Sequence, residues 1–221
     1  MKHLTFIAVL LVLTRLLFGQ SENLPLLLEK SDSTNYLVFH VTGDGGMRGF
    51  DVKLEEQFKT HGISYIFLNA YKYFWSTKTP DQFAGDILPV IKDYMAKWGK
   101  CKIVLSGFSF GAEVIPFLYT RLPDELKQKV RLVLLLTPAS TSDFTIHLAD
   151  MIGVDNRYAN DVVKEVERIT TTPVVAIFGE KEDSTFPSDH KQDNYQAIFI
   201  RGSHHFTDAD EVMEEVLNQL K

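Results

Sequence analysis

Cysteine is almost missing from this sequence, with Cys101 the single example among 221 residues. No internal disulfide can form, so the fold depends on packing, and Cys101, at the head of an apolar run, is expected to be a small core residue. Long basic runs are absent too, and the formal net charge is −6. Without a lysine- or arginine-rich track along the chain, we expect no nucleic-acid partner.

Apolar segments dominate the pattern that remains. Hydrophobic residues make up 45% of the chain, which is enough for one sizeable core. Short runs rich in Val, Ile and Phe, mostly without polar alternation, predict strands of a parallel sheet that is covered on both faces. These runs are 36–41, 63–68, 102–106, 130–136, 173–178 and 195–200, with an edge strand at 24–28.

Helical patterns lie between these strands, at 50–61, 80–98, 110–122, 158–169 and 207–220. The second helix begins at a capping box, in which Thr79 caps the helix, Pro80 opens it and Gln82 reaches back. The alternation predicts a doubly wound, mostly parallel α/β sheet in a single compact domain, residues 20–221, without a large lid. In such sheets ligands bind beyond the carboxyl ends of the strands, so functional residues should follow the strands.

The N-terminus differs from the rest of the chain. A short positive region precedes the apolar run Leu4 to Phe18, and Gly19 separates that run from a polar junction. This pattern is typical of a secretory signal peptide, residues 1–19, and predicts export. An uncleaved membrane anchor is the alternative, but Arg15 interrupts the run, which is shorter than the about 20 apolar residues that span a bilayer.

The segment GFSFG, residues 107–111, stands between a predicted strand and a predicted helix. G-x-S-x-G in that context indicates a nucleophile elbow, in which the serine occupies a strained turn and the glycines avoid steric crowding. The turn would present Ser109 at a helix N-terminus, where the helix dipole favours developing negative charge. The alternative is a serine that only caps the helix.

A serine nucleophile needs a base, and the base needs an acid to orient it, in the chain order serine, acid, histidine. The loop after the fifth predicted strand carries Glu182 and Asp183. We prefer Asp183, which lies four residues before Pro187, as in many hydrolase loops. The loop after the last strand carries His204, the predicted base, and His205, which we expect to support the loop.

An acyl-transfer site also needs donors for the oxyanion that forms in the reaction. The Phe110 amide, directly after the nucleophile, is one candidate, and the Asp44 amide in the Asp/Gly-rich loop after the first predicted strand is the other. That loop lacks the alternating carboxylates of an EF-hand, so a calcium site is disfavoured. A metal site formed by the paired histidines with Asp208 and Asp210 is also disfavoured, because adjacent histidines cannot easily point the same way. No metal and no cofactor is expected.

On these residues the sequence resembles the VirJ/AcvB family of bacterial virulence proteins, an exported branch of the α/β-hydrolases. The likeness covers essentially the whole mature chain and is carried by TGDGGM (42–47), YKYFWSTKTPDQFAGDI (71–87), VLSGFSFGAEVIPFLYTRLP (104–123), DFTIH (143–147), FGEKEDSTFP (178–187) and RGSHHF (201–206). The resemblance implies an α/β-hydrolase fold, a periplasmic location and a serine hydrolase that acts on aminoacyl esters of phosphatidylglycerol, such as lysyl-phosphatidylglycerol. Carried over by position, the nucleophile is Ser109, the acid Asp183 and the base His204.

The sequence departs from the family pattern at three positions. Met47 stands where tryptophan is usual, Lys72 where arginine is usual and Glu113 where aspartate is usual. None of these changes removes a member of the triad, so they bear on the substrate and not on the mechanism.

The aromatic segment after the second predicted strand belongs to the sheet edge where the nucleophile is expected. Lys72 and Tyr73 are candidate substrate contacts there, because a cation beside aromatic rings could hold a phosphate and rest on lipid or glycerol. Phe74 and Trp75 are at least as well explained by packing in the core. A lipid ester as substrate would bring the chain into peripheral contact with a membrane.

Two functions of different classes remain open. The first is an exported serine esterase that hydrolyses a carboxylic ester through Ser109, His204 and Asp183. The second is a non-catalytic periplasmic binding or assembly protein that uses an α/β-hydrolase scaffold in virulence or secretion. The intact set of triad residues favours the enzyme.

Overall fold

A computed structural model describes residues 24–147 and 159–220. The predicted signal peptide, residues 1–19, and the first residue of the helix predicted at 158–169 lie outside these ranges.

The elements alternate along the chain as the sequence predicts. The strands are β1 (Leu26–Glu29), β2 (Tyr36–Val41), β3 (Ser64–Leu68), β4 (Lys102–Phe108), β5 (Val130–Leu136), β6 (Thr141–Ser142), β7 (Asn160–Asp161), β8 (Val174–Gly179) and β9 (Tyr195–Ile200). The helices are α1 (Phe50–Thr60), α2 (Ala70–Tyr73), α3 (Pro80–Trp98), α4 (Phe110–Thr120), α5 (Asp124–Lys127), α6 (Val162–Glu167) and α7 (Ala209–Gln219). All predicted strands are present, and β1 is the predicted edge strand.

Seven of the strands form one sheet in the order β1-β3-β2-β4-β5-β8-β9. β1 runs antiparallel to β3, and the other pairings in this sheet are parallel. From β2 the chain builds outward to β3 and then returns to place β4 on the other side of β2. The carboxyl ends of β2 and β4 therefore meet where the strand order reverses, which is where open α/β sheets bind ligands.

Two apolar layers cover this sheet. One face packs against α3, α4 and α6, with Phe83, Ile115 and Val166 among its buried residues. The opposite face packs against α1 and α7, through residues such as Leu54 and Val212. The central strands are buried on both faces, which explains why their sequences lack polar alternation.

Helix α3 begins as the sequence predicts. Thr79 Oγ1 accepts the Gln82 N–H at 3.1 Å, and Gln82 Oε1 accepts the Thr79 N–H at 2.9 Å. The capping box thus satisfies two amides that helix geometry would otherwise leave unpaired. The helix ends at Gly99, whose φ of 65° lies in the left-handed region that glycine adopts without strain.

Two local predictions are wrong. Cys101 is exposed and is not a core residue, because the strand begins at Lys102 and its first fully buried position is Ile103. Helix α6 is shorter than predicted at its N-terminus. Asp161 caps it by accepting the Lys164 N–H, and a cap of this kind fixes the start of a helix.

Candidate active site

Ser109 lies on a sharp turn between β4 and α4. Its backbone has φ 52° and ψ −120°, a conformation that costs a residue other than glycine about 1–3 kcal/mol. The Ser109 N–H donates to the Leu136 carbonyl oxygen at 2.8 Å, which anchors the turn to the neighbouring strand. The side chain makes no capping bond to the helix. The interpretation of Ser109 as a simple helix cap is therefore wrong.

Close backbone contacts require the two glycines of this turn. A Cβ atom at Gly107 would lie 2.2 Å from the Gly111 carbonyl oxygen, and one at Gly111 would lie 2.0 Å from the Val41 carbonyl oxygen. Both distances are far shorter than any Cβ contact tolerates. The glycines let the turn pack directly onto the end of β2, beside the loop that follows that strand.

His204 lies on the loop after β9 and reaches the serine. Its Nε2 is 2.8 Å from Ser109 Oγ, and its ring packs 5.9 Å from the Phe108 ring, centroid to centroid. The side chain is 46% exposed, so small molecules can approach the pair from solvent. The adjacent His205 contacts the rings of Phe108 and His204, in keeping with a supporting place in the loop.

The carboxylate on this histidine belongs to Glu182 and not to Asp183. Glu182 Oε1 is 2.8 Å from His204 Nδ1, and the Glu182 side chain is only 6% exposed. Its other carboxylate oxygen accepts the Gly179 N–H at 3.2 Å. Asp183 points into solvent. With Glu182 accepting from Nδ1–H, Nε2 is free to accept the Ser109 hydroxyl proton.

The turn after β8 explains why the structure differs from the preferred prediction. The Glu182 N–H donates to the Gly179 carbonyl oxygen at 2.9 Å, which closes a tight turn and directs residue 182 back toward the end of the strand. The Lys181 N–H donates to the Gly202 carbonyl oxygen at 2.9 Å, and a Cβ at Gly179 would lie 2.4 Å from the Ser203 carbonyl oxygen. The loops that carry Glu182 and His204 are therefore in direct backbone contact.

The two predicted oxyanion donors lie on two segments that pack against each other. Asp44 follows β2, and the Phe110 amide is the first of α4, whose turn packs on the end of β2. Within residues 24–147 and 159–220, neither amide donates a hydrogen bond to another part of the chain. Unpaired amides at a helix N-terminus and in a glycine-rich loop are the groups that an oxyanion hole uses.

The two predicted substrate contacts are placed differently from each other. Lys72 is exposed on α2. Tyr73 is buried in the aromatic cluster with Phe74 and Phe83, and its hydroxyl donates to Asp86 Oδ2 at 2.7 Å. Burial, and secondarily the Asp86 carboxylate, raise the pKa of Tyr73 far above its usual range. The prediction for Tyr73 is corrected, because its side chain is buried and its hydroxyl already donates to Asp86.

Aromatic packing extends from this cluster to the turn that carries Ser109. The Phe74 ring lies 4.9 Å from the Phe110 ring, centroid to centroid. The segment around Phe144 packs on the same cluster, where the Lys78 N–H donates to the Phe144 carbonyl oxygen at 3.1 Å. Trp75, by contrast, is 57% exposed. The core interpretation thus holds for Phe74 and not for Trp75.

A second group of Ser, His and Asp side chains is buried beneath the Asp44 loop. His40 Nδ1 is 3.0 Å from Ser106 Oγ, and His40 Nε2 is 2.9 Å from Asp51 Oδ1. Asp51 Oδ2 accepts the Gly43 N–H at 3.1 Å. Burial raises the pKa of Asp51, against the opposing effect of the His40 hydrogen bond. No prediction from the sequence included this group, although a histidine and a serine inside otherwise apolar strands were a signal for it.

Neither a metal cluster nor a membrane span is evident in the described ranges. No three His, Cys, Asp or Glu side chains among those residues are grouped closely enough to hold a metal ion. No helix in the same ranges is long and apolar enough to cross a membrane.

Comparison with solved structures identifies the fold. The chain is similar to Est1E from Butyrivibrio proteoclasticus, solved with ferulic acid bound, at 14% identity and a TM-score of 0.60, over 89% of this chain and 95% of that one. It is similar to an alpha-beta serine hydrolase homologue from Coxiella burnetii at 15% identity and a TM-score of 0.62, over 89% and 91% of the two chains. A lipase-esterase related protein from Clostridium acetobutylicum matches at 17% identity and a TM-score of 0.61, over 88% and 98%. The fold is that of the α/β-hydrolases.

Comparison of sequences gives one further finding. A family model described as VirJ, a bacterial virulence protein, matches residues 35–221. No curated protein matches the chain. The matched range includes the turn that carries Ser109, the loops that carry Glu182 and His204, and the buried His40 group.

Proposed function

Because this chain belongs to the VirJ family of bacterial virulence proteins and has the α/β-hydrolase fold, we propose that it is an exported serine hydrolase that cleaves a carboxylic ester. The observation that carries the proposal is the distance of 2.8 Å between Ser109 Oγ and His204 Nε2, with the serine on a strained turn. Glu182 completes the set as the acid, in place of the Asp183 that the sequence favours.

In the proposed mechanism, His204 Nε2 takes the hydroxyl proton of Ser109 while Oγ attacks the ester carbonyl carbon. The carbonyl oxygen becomes an oxyanion, which the Asp44 and Phe110 amides stabilise. His204 then gives its proton to the departing alcohol, leaving an acyl group on Ser109. Water attacks this acyl-enzyme with His204 again as base. The bond between the acyl carbon and Ser109 Oγ then breaks, His204 returns the proton to Oγ, and the free acid leaves. Glu182 stabilises the imidazolium in both steps.

The substrate class that we propose is an aminoacyl ester of phosphatidylglycerol, such as lysyl-phosphatidylglycerol, in the periplasm. The family and the predicted signal peptide support this class. Lys72 and Trp75, both exposed, suit a peripheral contact with lipid, since a cation binds phosphate and tryptophan prefers the interface between water and hydrocarbon. Ferulic acid is the ligand of Est1E and is not assigned to this chain.

The first test separates an enzyme from a binding protein. A fluorophosphonate probe should label the folded wild-type protein at Ser109, and should label neither the Ser109→Ala variant nor protein that was denatured beforehand. Absence of labelling, together with absence of turnover of simple activated esters, would support the non-catalytic binding or assembly protein instead.

The second test addresses the substrate. Vesicles of phosphatidylglycerol that contain lysyl-phosphatidylglycerol should release free lysine with the wild-type protein and not with Ser109→Ala. Release of fatty acid instead of lysine would leave the esterase proposal in place and would contradict the aminoacyl substrate.

A further inference from the structure

We propose that Asp51, oriented by His40, is a positioning residue that holds the Gly43 amide and so sets the direction of the Asp44 N–H in the oxyanion loop. This inference rests on the proposed esterase for its kinetic consequence, but its structural part can be measured without any activity.

A chain of buried hydrogen bonds orients the Asp51 carboxylate. Ser106, His40 and Asp51 are fully or almost fully buried, and they come from β4, β2 and the first turn of α1. One carboxylate oxygen of Asp51 contacts His40 Nε2 and the other accepts the Gly43 N–H. His40 is also fixed by its ring, which lies 4.4 Å from the Phe67 ring, centroid to centroid. The carboxylate therefore has one orientation.

Because peptide groups are planar, a fixed Gly43 N–H restrains the direction of the Asp44 N–H that follows it. Asp51 fixes the Gly43 N–H and with it the peptide that joins residues 42 and 43. The next peptide joins the Gly43 carbonyl to the Asp44 N–H, which point in opposite directions across a trans bond. That carbonyl oxygen accepts the Gly46 N–H at 3.0 Å and the Thr42 hydroxyl at 3.1 Å. With both peptides held, the Asp44 N–H has a fixed direction.

Burial of the Asp51 carboxylate and the His40 imidazole has a free-energy cost. Burying a carboxylate and an imidazole is expensive unless both are fully hydrogen-bonded, and an apolar pair of similar size would fill the same space. Of the two side-chain hydrogen bonds of Asp51, the one to the Gly43 N–H reaches a loop and the one to His40 stays in the core. A positioned amide is what an oxyanion hole requires, since misplacing a catalytic group by about 1 Å costs about 100-fold in rate.

The same group is not a second nucleophile. Ser106 lies within β4, where its neighbours pair with the strands on both sides, and its side chain is fully buried. No substrate reaches a hydroxyl in that position. Positioning is the role that remains for a hydrogen-bonded set directed at one loop amide.

The experiment compares Asp51→Ala, Asp51→Asn and the control Tyr119→Phe. Asp51→Ala removes the acceptor for Gly43. Asp51→Asn keeps a neutral oxygen that can accept the same N–H, while His40 changes tautomer and donates from Nδ1 to Ser106. Tyr119→Phe also deletes a buried hydrogen bond, to Thr172 Oγ1 at 2.8 Å, but at the other end of α4.

Each variant is studied in two ways. Steady-state kinetics with a soluble activated ester give kcat and KM, and NMR gives amide hydrogen exchange and proton chemical shifts at Gly43 to Gly46. We expect Asp51→Ala to lower kcat by about 10- to 100-fold with KM nearly unchanged, and to speed exchange at Gly43 and Gly46. Asp51→Asn should recover most of kcat and should shift the Gly43 amide proton upfield, because a neutral acceptor replaces a carboxylate. Tyr119→Phe should change neither kcat nor the exchange and chemical shifts of the Gly43 to Gly46 amides.

The outcomes are distinct. Wild-type kcat and loop exchange in Asp51→Ala would overturn the inference, as would an equal loss of kcat in Tyr119→Phe. If Asp51→Ala does not fold, an unchanged Gly43 amide proton in Asp51→Asn would overturn it as well. If the wild-type protein hydrolyses no ester but the loop amides respond as expected, the positioning inference stands and the proposed function fails.

Discussion

Strand β4 and the turn that follows it carry two serines, Ser106 and Ser109, and each belongs to a set of serine, histidine and carboxylate. In the buried set, which consists of Ser106, His40 and Asp51, the two contacts of His40 are 3.0 and 2.9 Å. In the exposed set, which consists of Ser109, His204 and Glu182, the two contacts of His204 are 2.8 Å each. By residue type and distance the two sets are nearly the same.

Their surroundings separate them. Ser106 has the backbone of an ordinary strand residue and is fully buried. Ser109 has positive φ, contacts a histidine that is half exposed, and is followed by the Phe110 amide, which makes no hydrogen bond within the described ranges. Access, strain and neighbouring donors therefore favour Ser109 over Ser106 as the proposed nucleophile, although the side chains around the two serines are similar.

The largest expected effect comes from comparing Ser109→Ala with Ser106→Ala. Loss of the Ser109 hydroxyl should lower kcat for ester hydrolysis by at least about 1,000-fold without changing stability much, because triad members act as a unit. Loss of the Ser106 hydroxyl leaves His40 Nδ1 without a buried partner and should cost about 1–3 kcal/mol of unfolding free energy. Steady-state kinetics and urea denaturation measure both quantities. Similar kinetic losses in the two variants would remove the distinction between the sets.

The next effect concerns the acid of the exposed set. Glu182→Gln should lower kcat by about 100- to 10,000-fold, because the amide cannot stabilise the imidazolium and favours the wrong tautomer. Asp183→Asn is the matched control and should stay within about twofold of wild type, since exposed charges interact weakly. The opposite result, with Asp183 essential, would restore the preference taken from the sequence and contradict the observed contact.

The smallest effect distinguishes the buried set by its titration. The pKa of Asp51 is raised above its ordinary value of 3.8 by burial, so the folded protein binds a proton on this group more tightly than the unfolded chain does. Stability contributed by that proton is present at low pH and is lost as pH rises from 3.8 through the raised pKa. The difference in unfolding free energy, wild type minus Asp51→Asn, should therefore decrease over this window. A flat difference in denaturation at several pH values would contradict the raised pKa.

The sequence predicted more of the exposed set than of the buried one, for physical reasons. Glycines at 107 and 111 and the order of apolar runs are local signals, and they located both Ser109 and the strands around it. The choice between Glu182 and Asp183 depends on a backbone bond from residue 182 to Gly179, which spacing to a proline does not report. His40 and Asp51 lie 11 residues apart in the chain, on a strand and a helix, so no motif spacing marks them.

The sequence also does not determine which of two adjacent aromatic residues is buried. Phe74 and Trp75 are adjacent aromatic residues, yet Phe74 is fully buried and Trp75 is 57% exposed. The short helix α2 and the contacts of the Phe144 segment decide which ring enters the core. Composition predicts that this segment packs, but only the tertiary arrangement selects the residue.

The missing side chain of Gly179 has a mechanical consequence. Because its backbone rests directly on that of Ser203, the ends of β8 and β9 cannot slide past each other, and thermal motion must carry the two loops together. We expect the His204 imidazole and the Glu182 carboxylate, which are 2.8 Å apart, to move together relative to the Ser109 turn. We therefore expect the His204–Glu182 hydrogen bond to persist even when a movement of the two loops separates His204 from Ser109.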